Sequence, residues 1–150
     1  MVNVTVNGKA VSVPERTTIL EAARAAGVDI PHLCYLKKLN EIGACRVCCV
    51  EIEGERNLVP SCNNPVFEGM VIRTNTPRVR RTRKINVELI LSQHDCHCAT
   101  CQRSGNCHLQ NIANDLGILD TPYPRDLVTG VRALWPRDFP LYREVEAKRS

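Results

Sequence analysis

Aromatic side chains are scarce, making up only 4% of 150 residues and including a single tryptophan. That scarcity excludes one large aromatic-rich core, and two small units stapled by something other than bulk burial suit the length better. Long apolar runs are missing as well: none approaches the roughly 18–20 residues that cross a bilayer. Met1 to Ala10 has no charged-then-apolar leader. The expectation is a soluble, cytoplasmic protein with no membrane span. A net charge of +4 is mild, and together with the few aromatics it argues against a nucleic-acid partner. No Ser-His-Asp set, phosphate loop or paired carboxylates stand in a convincing context, so no catalytic site of the chain's own is expected.

Cysteine is what the chain has in quantity. There are nine, an odd number, and in a reducing compartment thiols bind metal rather than pair as disulfides. Eight residues fall into two groups: Cys34, Cys45, Cys48 and Cys62, then His94, Cys98, Cys101 and Cys107. In the first group the gaps are ten, two and thirteen residues. The short gap lets one tight turn offer two sulfurs to one centre, while Cys34 and Cys62 arrive from elsewhere in the fold. That is the logic of a plant-type [2Fe-2S] site, with an enlarged ligand loop.

The surrounding pattern places this loop. Val2, Val4 and Val6 alternate with polar residues, Asn7-Gly8 signals a type I′ turn, and Val11 and Val13 resume the alternation. Thr18 and Glu21 read as a capping box opening a helix that Gly27 ends. Strand, strand, helix is the start of a β-grasp unit. Gly43-Ala44 before Cys45 keeps the backbone slim where N–H groups must approach cluster sulfurs. Val50 and Ile52, Leu58 to Pro60, and Met70 to Arg73 read as further strands, completing a unit over residues 1–76. The fold class is therefore α+β, ferredoxin-like.

Pro77 opens a second unit, 77–119. Val79, Ile85, Leu89 and Ile90 give an approximate helical stripe, and Arg78, Arg80, Arg81, Arg83 and Lys84 crowd positive charge into its first half. That run is either a solvated face or an electrostatic neighbour of an anionic centre. Because cations are unfavourable at a helix N-terminus, something else should hold them there. His94 then precedes Cys98 by three intervening residues, with gaps of two and five to Cys101 and Cys107. Leu109, Ile112, Ala113 and Leu116 form a short amphipathic helix ended by Gly117. So small a unit should couple centre binding to folding.

On spacing alone the second set is also a legal Cys3His zinc site, which leaves a zinc-stabilised adaptor with no redox role as an alternative. Cys96 offers a second way to complete that set in place of His94. Cys49 should be a buried spectator on the opposite side of a strand from its neighbour. His97 and His108 read as surface groups. His32, beside Cys34, reads as a loop histidine that faces solvent or bonds near the first centre. Residues 120–150, with Pro122, Pro124, Pro136 and Pro140, read as an extended arm anchored by Tyr123, Leu134, Trp135 and Phe139. Such anchors allow an oligomer or docking on partner subunits.

The stretch from Cys34 to Cys48, and Ser104-Gly105-Asn106-Cys107 followed by Leu109-Gln110, resemble the N-terminal region of NAD(P)-linked iron-only ([FeFe]) hydrogenases. The same two-cluster module resembles the start of the large iron-sulfur subunit of complex I and of NAD-dependent formate dehydrogenases. The resemblance covers roughly residues 1 to 119. It implies a [2Fe-2S] cluster on Cys34, Cys45, Cys48 and Cys62, and a [4Fe-4S] cluster on His94, Cys98, Cys101 and Cys107. It further implies an electron-transfer module working with flavin/NAD(P)H-binding or ferredoxin partners and a catalytic subunit, most similar to the hydrogenase type. In that family a segment similar to Trp135-Pro136-Arg137-Asp138-Phe139-Pro140-Leu141 leads into two further four-Cys clusters and a catalytic domain. Neither falls within these residues, so the chain reads as a fragment or a separate small subunit.

Overall fold

A computed structural model describes residues 1–94 and 96–123. The first strands, β1 (Val2–Val6) and β2 (Lys9–Val13), form an antiparallel hairpin in register Val2↔Val13 to Val6↔Lys9. Asn7 and Gly8 turn it with φ of 49° and 84°, the left-handed pair that a type I′ turn demands. Helix α1 (Ile19–Ala25) is capped by Thr18, whose side chain accepts from the Glu21 N–H. The expected capping box is only half made. The Glu21 carboxylate instead takes Arg24, Tyr35 and Lys37, at 2.8, 3.0 and 2.9 Å. At the other end Gly27 N–H reaches Arg24 O and Val28 N–H reaches Ala23 O, with Gly27 at φ 73°. These are the paired bonds of a Schellman stop.

Three more strands, β3 (Cys49–Ile52), β4 (Val59–Pro60) and β5 (Val71–Arg73), complete a mixed five-stranded sheet in the order β2-β1-β5-β3-β4. Only β1 and β5 run parallel, as a connection through most of the unit permits; the other neighbours are antiparallel. Val4, Val6, Val50 and Ile72 from the sheet meet Ile19, Leu20, Ala22 and Ala23 from α1 in one core. Burying Ile19 and Leu20 completely contributes roughly 1.5–3 kcal/mol apiece.

Helix α2 (Pro77–Ser92) begins at Thr76, a cap the sequence pattern does not single out. Its Oγ1 accepts from Val79 N–H at 3.2 Å and donates to Glu51 Oε2 at 2.7 Å, tying the helix to β3. The expected apolar stripe needs correction. Ile85 and Leu89 are exposed, and the buried face is Val79, Arg83, Val87, Glu88 and Ser92. Spacing by four, from 79 to 83 to 87, selects this face, and its middle position is a charge that a count of apolar residues skips. Arg78, Arg80, Arg81 and Lys84 are solvated, so the basic run is a surface with one member turned inward.

Helix α3 (His108–Asp115) ends in a second Schellman stop at Gly117, where Ile118 N–H bonds Ala113 O at 2.9 Å. A second core joins Val47, Val87, Ile112, Ala113 and Ile118, with Leu33, Cys45, Leu91, Leu109 and Leu116 packed against it. Val47, Cys45 and Leu33 come from the loop before β3. The small helical part therefore completes its core on the sheet domain rather than standing apart. Thr121 Oγ1 donates to Glu88 O at 3.2 Å, so chain beyond α3 returns to α2. Tyr123 is half-buried, whereas Leu134, Trp135 and Phe139 lie outside the described residues. Among the described residues no helix is long and apolar enough to cross a membrane.

Candidate metal centres

Cys34, Cys45 and Cys48 lie on the loop between α1 and β3, and Cys62 follows β4. Pairing of Cys49 with Pro60, and Ser61 N–H on Cys48 O at 3.1 Å, lay the β4 end alongside Cys48. Cys48 and Cys62 are fully buried; Cys34 and Cys45 are half-buried. Cys45 N–H points at Cys34 Sγ across 3.5 Å. The Cys62 thiol feels the other three. Burial pushes the Cys62 thiol up to about 12, reinforced by Cys48, Cys34 and Cys45. Burial also raises Cys34, against backbone N–H groups of Cys45 and Ala44. Burial opposes ionisation of Cys45 too, yet backbone bonds from Val47, Cys34 and Leu33 hold it below the ordinary thiol range.

Four such sulfurs cannot all ionise side by side unless a cationic core sits among them. The donor set therefore fits an iron-sulfur cluster, with amides already aimed at two of the sulfurs. The backbone is shaped to allow it. Gly43 and Arg46 are left-handed at φ 64° and 54°, and a Cβ on Gly43 would come within 2.9 Å of Asn63 Nδ2. Gly43→Ala should cost about 1–2 kcal/mol and speed the loss of visible absorbance under urea. Unchanged bleaching kinetics would show that the Gly43–Asn63 approach does not matter.

Two helices brace this loop. From α2, Asn86 donates to Arg46 O at 2.9 Å, while Arg83 donates to Val47 O at 2.9 Å and Cys49 O at 3.1 Å. Within the loop, Asn40 Nδ2 bonds Cys34 O at 2.8 Å. None of these bracing residues is marked by sequence spacing. Arg83 carried the one usable signal, as part of the basic run. Cys49 is buried with its Sγ 4.0 Å from Val79 O, and burial raises its thiol; it is the spectator expected. His32 points away to α1, with Nε2 3.2 Å from Arg24 and its ring edge-on to Tyr35 at 5.7 Å.

His94, Cys96, Cys98, Cys101 and Cys107 occupy the single loop from α2 to α3. His94 N–H closes α2 on Leu91 O at 3.0 Å, Cys98–Thr100 forms one 3₁₀ turn, and Cys107 is the residue from which α3 starts. Cys101 N–H bonds Cys98 O at 3.3 Å and Ser104 N–H bonds Cys101 O at 3.0 Å, a chain of tight turns. Gly105 closes it at φ 80°, held by Gln110 Oε1 at 3.0 Å. Cys98 and Cys101 are exposed and Cys107 half-buried. Cys96 shares with Cys98 a cavity of about 600 Å³, and its Sγ sits 3.5 Å from His94 O. His97 and His108 are exposed. Among the described residues, no three or more His, Cys, Asp or Glu are grouped around a single metal ion.

A mixed five-stranded sheet with one helix packed on it, and Cys48 and Cys62 buried in the core between them, is a ferredoxin-like architecture. The chain belongs to the family described as 2Fe-2S iron-sulfur cluster binding domain, which matches residues 1–77. Residues 83–122 match the NADH-ubiquinone oxidoreductase-G iron-sulfur binding region, a [4Fe-4S] type. The NADP-reducing hydrogenase subunit HndD of Solidesulfovibrio fructosivorans is 48% identical over 128 residues, 82% of this chain and 22% of that protein. The NADH-ubiquinone oxidoreductase 75 kDa subunit of Reclinomonas americana is 42% identical over 112 residues, 75% of this chain and 16% of the relative. A crystal structure of NAD+-reducing [NiFe]-hydrogenase in the H2-reduced state superposes with a TM-score of 0.74 at 31% identity, covering 82% of this chain and 52% of the other. The chain thus spans about a fifth or less of the curated relatives it matches. It is an iron-sulfur module of the hydrogenase and NADH-quinone oxidoreductase type, and these matches set aside the zinc-stabilised adaptor.

Proposed function

We propose that this chain is an electron-relay module of a multi-subunit oxidoreductase. It would pass single electrons between a flavin/NAD(P)H-linked or ferredoxin partner and a catalytic subunit of hydrogenase type. Cys34, Cys45, Cys48 and Cys62 hold the [2Fe-2S] centre of a domain over residues 1–76. His94, Cys98, Cys101 and Cys107 hold the [4Fe-4S] centre of a small helical domain over 77–119. When bound, each cluster supplies a site that stores and releases one electron.

The observation that carries this reading is the second core. Cys45, a ligand of the first set, packs in the same cluster as Leu91 and Leu109, which flank the second set at His94 and Cys107. The loop that carries the first set and the two helices that flank the second therefore share one apolar core. Anaerobically purified protein should contain about six irons per chain, with matching acid-labile sulfide. Protein with iron for one centre alone would end the relay reading.

Imidazole at His94 replaces a thiolate and so removes negative charge from the second centre, which should raise its potential. EPR-monitored potentiometry should find the second centre reduced before the first. The opposite order would mean that solvent exposure of Cys98 and Cys101 outweighs ligand charge.

A further inference from the structure

Arg83 is the least expected residue of the interior. It is 5% exposed, lies midway along α2, and spends its guanidinium on three backbone carbonyls: Val47 O at 2.9 Å, Cys49 O at 3.1 Å and Thr74 O at 3.2 Å. The first two flank Cys48. No carboxylate of the described residues lies within the 4.0 Å of an ion pair with it. Asp115 lines the same cleft as Arg83 without reaching that distance.

A buried cation with no anionic partner is strongly unfavourable, and hydrogen bonds to neutral carbonyls offset only part of that cost. A residue meant only to tie α2 to the loop could be neutral, as Asn86 is one turn further along. Charge at this position needs an anion nearby. The carbonyls that hold the guanidinium, Val47 O and Cys49 O, bracket Cys48 in the chain, and Cys48 belongs to the first ligand set. Four thiolates leave a [2Fe-2S] centre net negative even when oxidised, and each electron it accepts adds to that charge.

We propose that Arg83 is the internal counter-charge of the [2Fe-2S] centre, a positioning residue that raises its reduction potential through Cys48. The role rests on assigning that centre to Cys34, Cys45, Cys48 and Cys62. Being buried, the charge is little screened by salt, unlike the solvated Arg78, Arg80, Arg81 and Lys84. It is also permanent, because arginine keeps its proton at any working pH. The geometry leaves the second centre outside its main influence, since Arg83 faces the sheet while His94 lies at the far end of the helix.

The test compares Arg83→Lys and Arg83→Gln in the full, cluster-loaded chain, titrated anaerobically with dithionite and redox mediators under EPR detection. Both variants lose the three-carbonyl fork; only Arg83→Gln loses the charge. In Arg83→Gln the first centre should titrate at more negative potential, with on the order of tenfold fewer reduced centres at the wild-type midpoint. Arg83→Lys should stay near wild type, and the second centre should not move in either. If Arg83→Gln cannot retain the first centre while Arg83→Lys does, the charge requirement is equally upheld. A wild-type midpoint in Arg83→Gln, or equal loss in both variants, overturns the role. Absence of a [2Fe-2S] signal in the wild-type chain would instead overturn the assignment of the centre itself.

Discussion

Cys62→Ala should yield protein that has lost the iron and sulfide of the first centre and keeps those of the second. Cys62 is fully buried and follows β4, whose pairing with β3 lays it beside Cys48. Its removal leaves Cys34, Cys45 and Cys48 with no fourth sulfur in reach. The adjacent spare thiol cannot substitute, because Cys49 points toward Val79 O on the opposite side of β3. Cys49→Ala is therefore the matched control and should retain full iron content, with only the modest loss of stability that follows from a small cavity. Iron and sulfide analysis, with visible spectra of oxygen-free preparations, reads both. Full iron in Cys62→Ala would show that the first centre is held by another set.

Val47→Asp should be severely damaging while it leaves every candidate ligand in place. Val47 is fully buried and sits where the loop of the first site meets α2 and α3. An aspartate there would replace a side chain that packs with Val87, Ile112, Ala113 and Ile118, all of them apolar. Burying an unpaired carboxylate should cost upward of about 4 kcal/mol. Val47→Ala removes two methyl groups and should cost about 2 kcal/mol. Because the loop of the first set and the helices that flank the second meet in this core, Val47→Asp should lower the occupancy of both centres together. Denaturant unfolding and iron analysis of the two variants would decide. Loss of the first centre alone would show that the second folds independently of the loop.

Much of this architecture could be read directly from the chain. The hairpin around Asn7-Gly8, the Thr18 cap, the stops at Gly27 and Gly117, and strands β3 to β5 all follow from local rules, in which neighbours within four residues decide the conformation. The separation of Cys49 from Cys48 follows from strand alternation. The face of α2 did not follow. Ile85 and Leu89 look like core residues by composition, but the helix is capped at Thr76 and pinned to β3 through Glu51, and that docking turns them outward and Arg83 inward. Glu21 likewise satisfies the spacing of a capping box, yet a lysine and a tyrosine brought in by the later loop compete for its carboxylate and win.

By itself, then, the order of residues determined the kinds of element and marked two candidate ligand sets, because each depends on spacing along a few turns or on side-chain type. Tertiary structure alone decided that the helical part shares a core with the first ligand loop, that Asn63 closes on Gly43, and that one arginine of a basic run turns inward onto the carbonyls on either side of Cys48. Those facts join residues tens of positions apart, and only the packing of strands, loops and helices on one another brings them within contact distance.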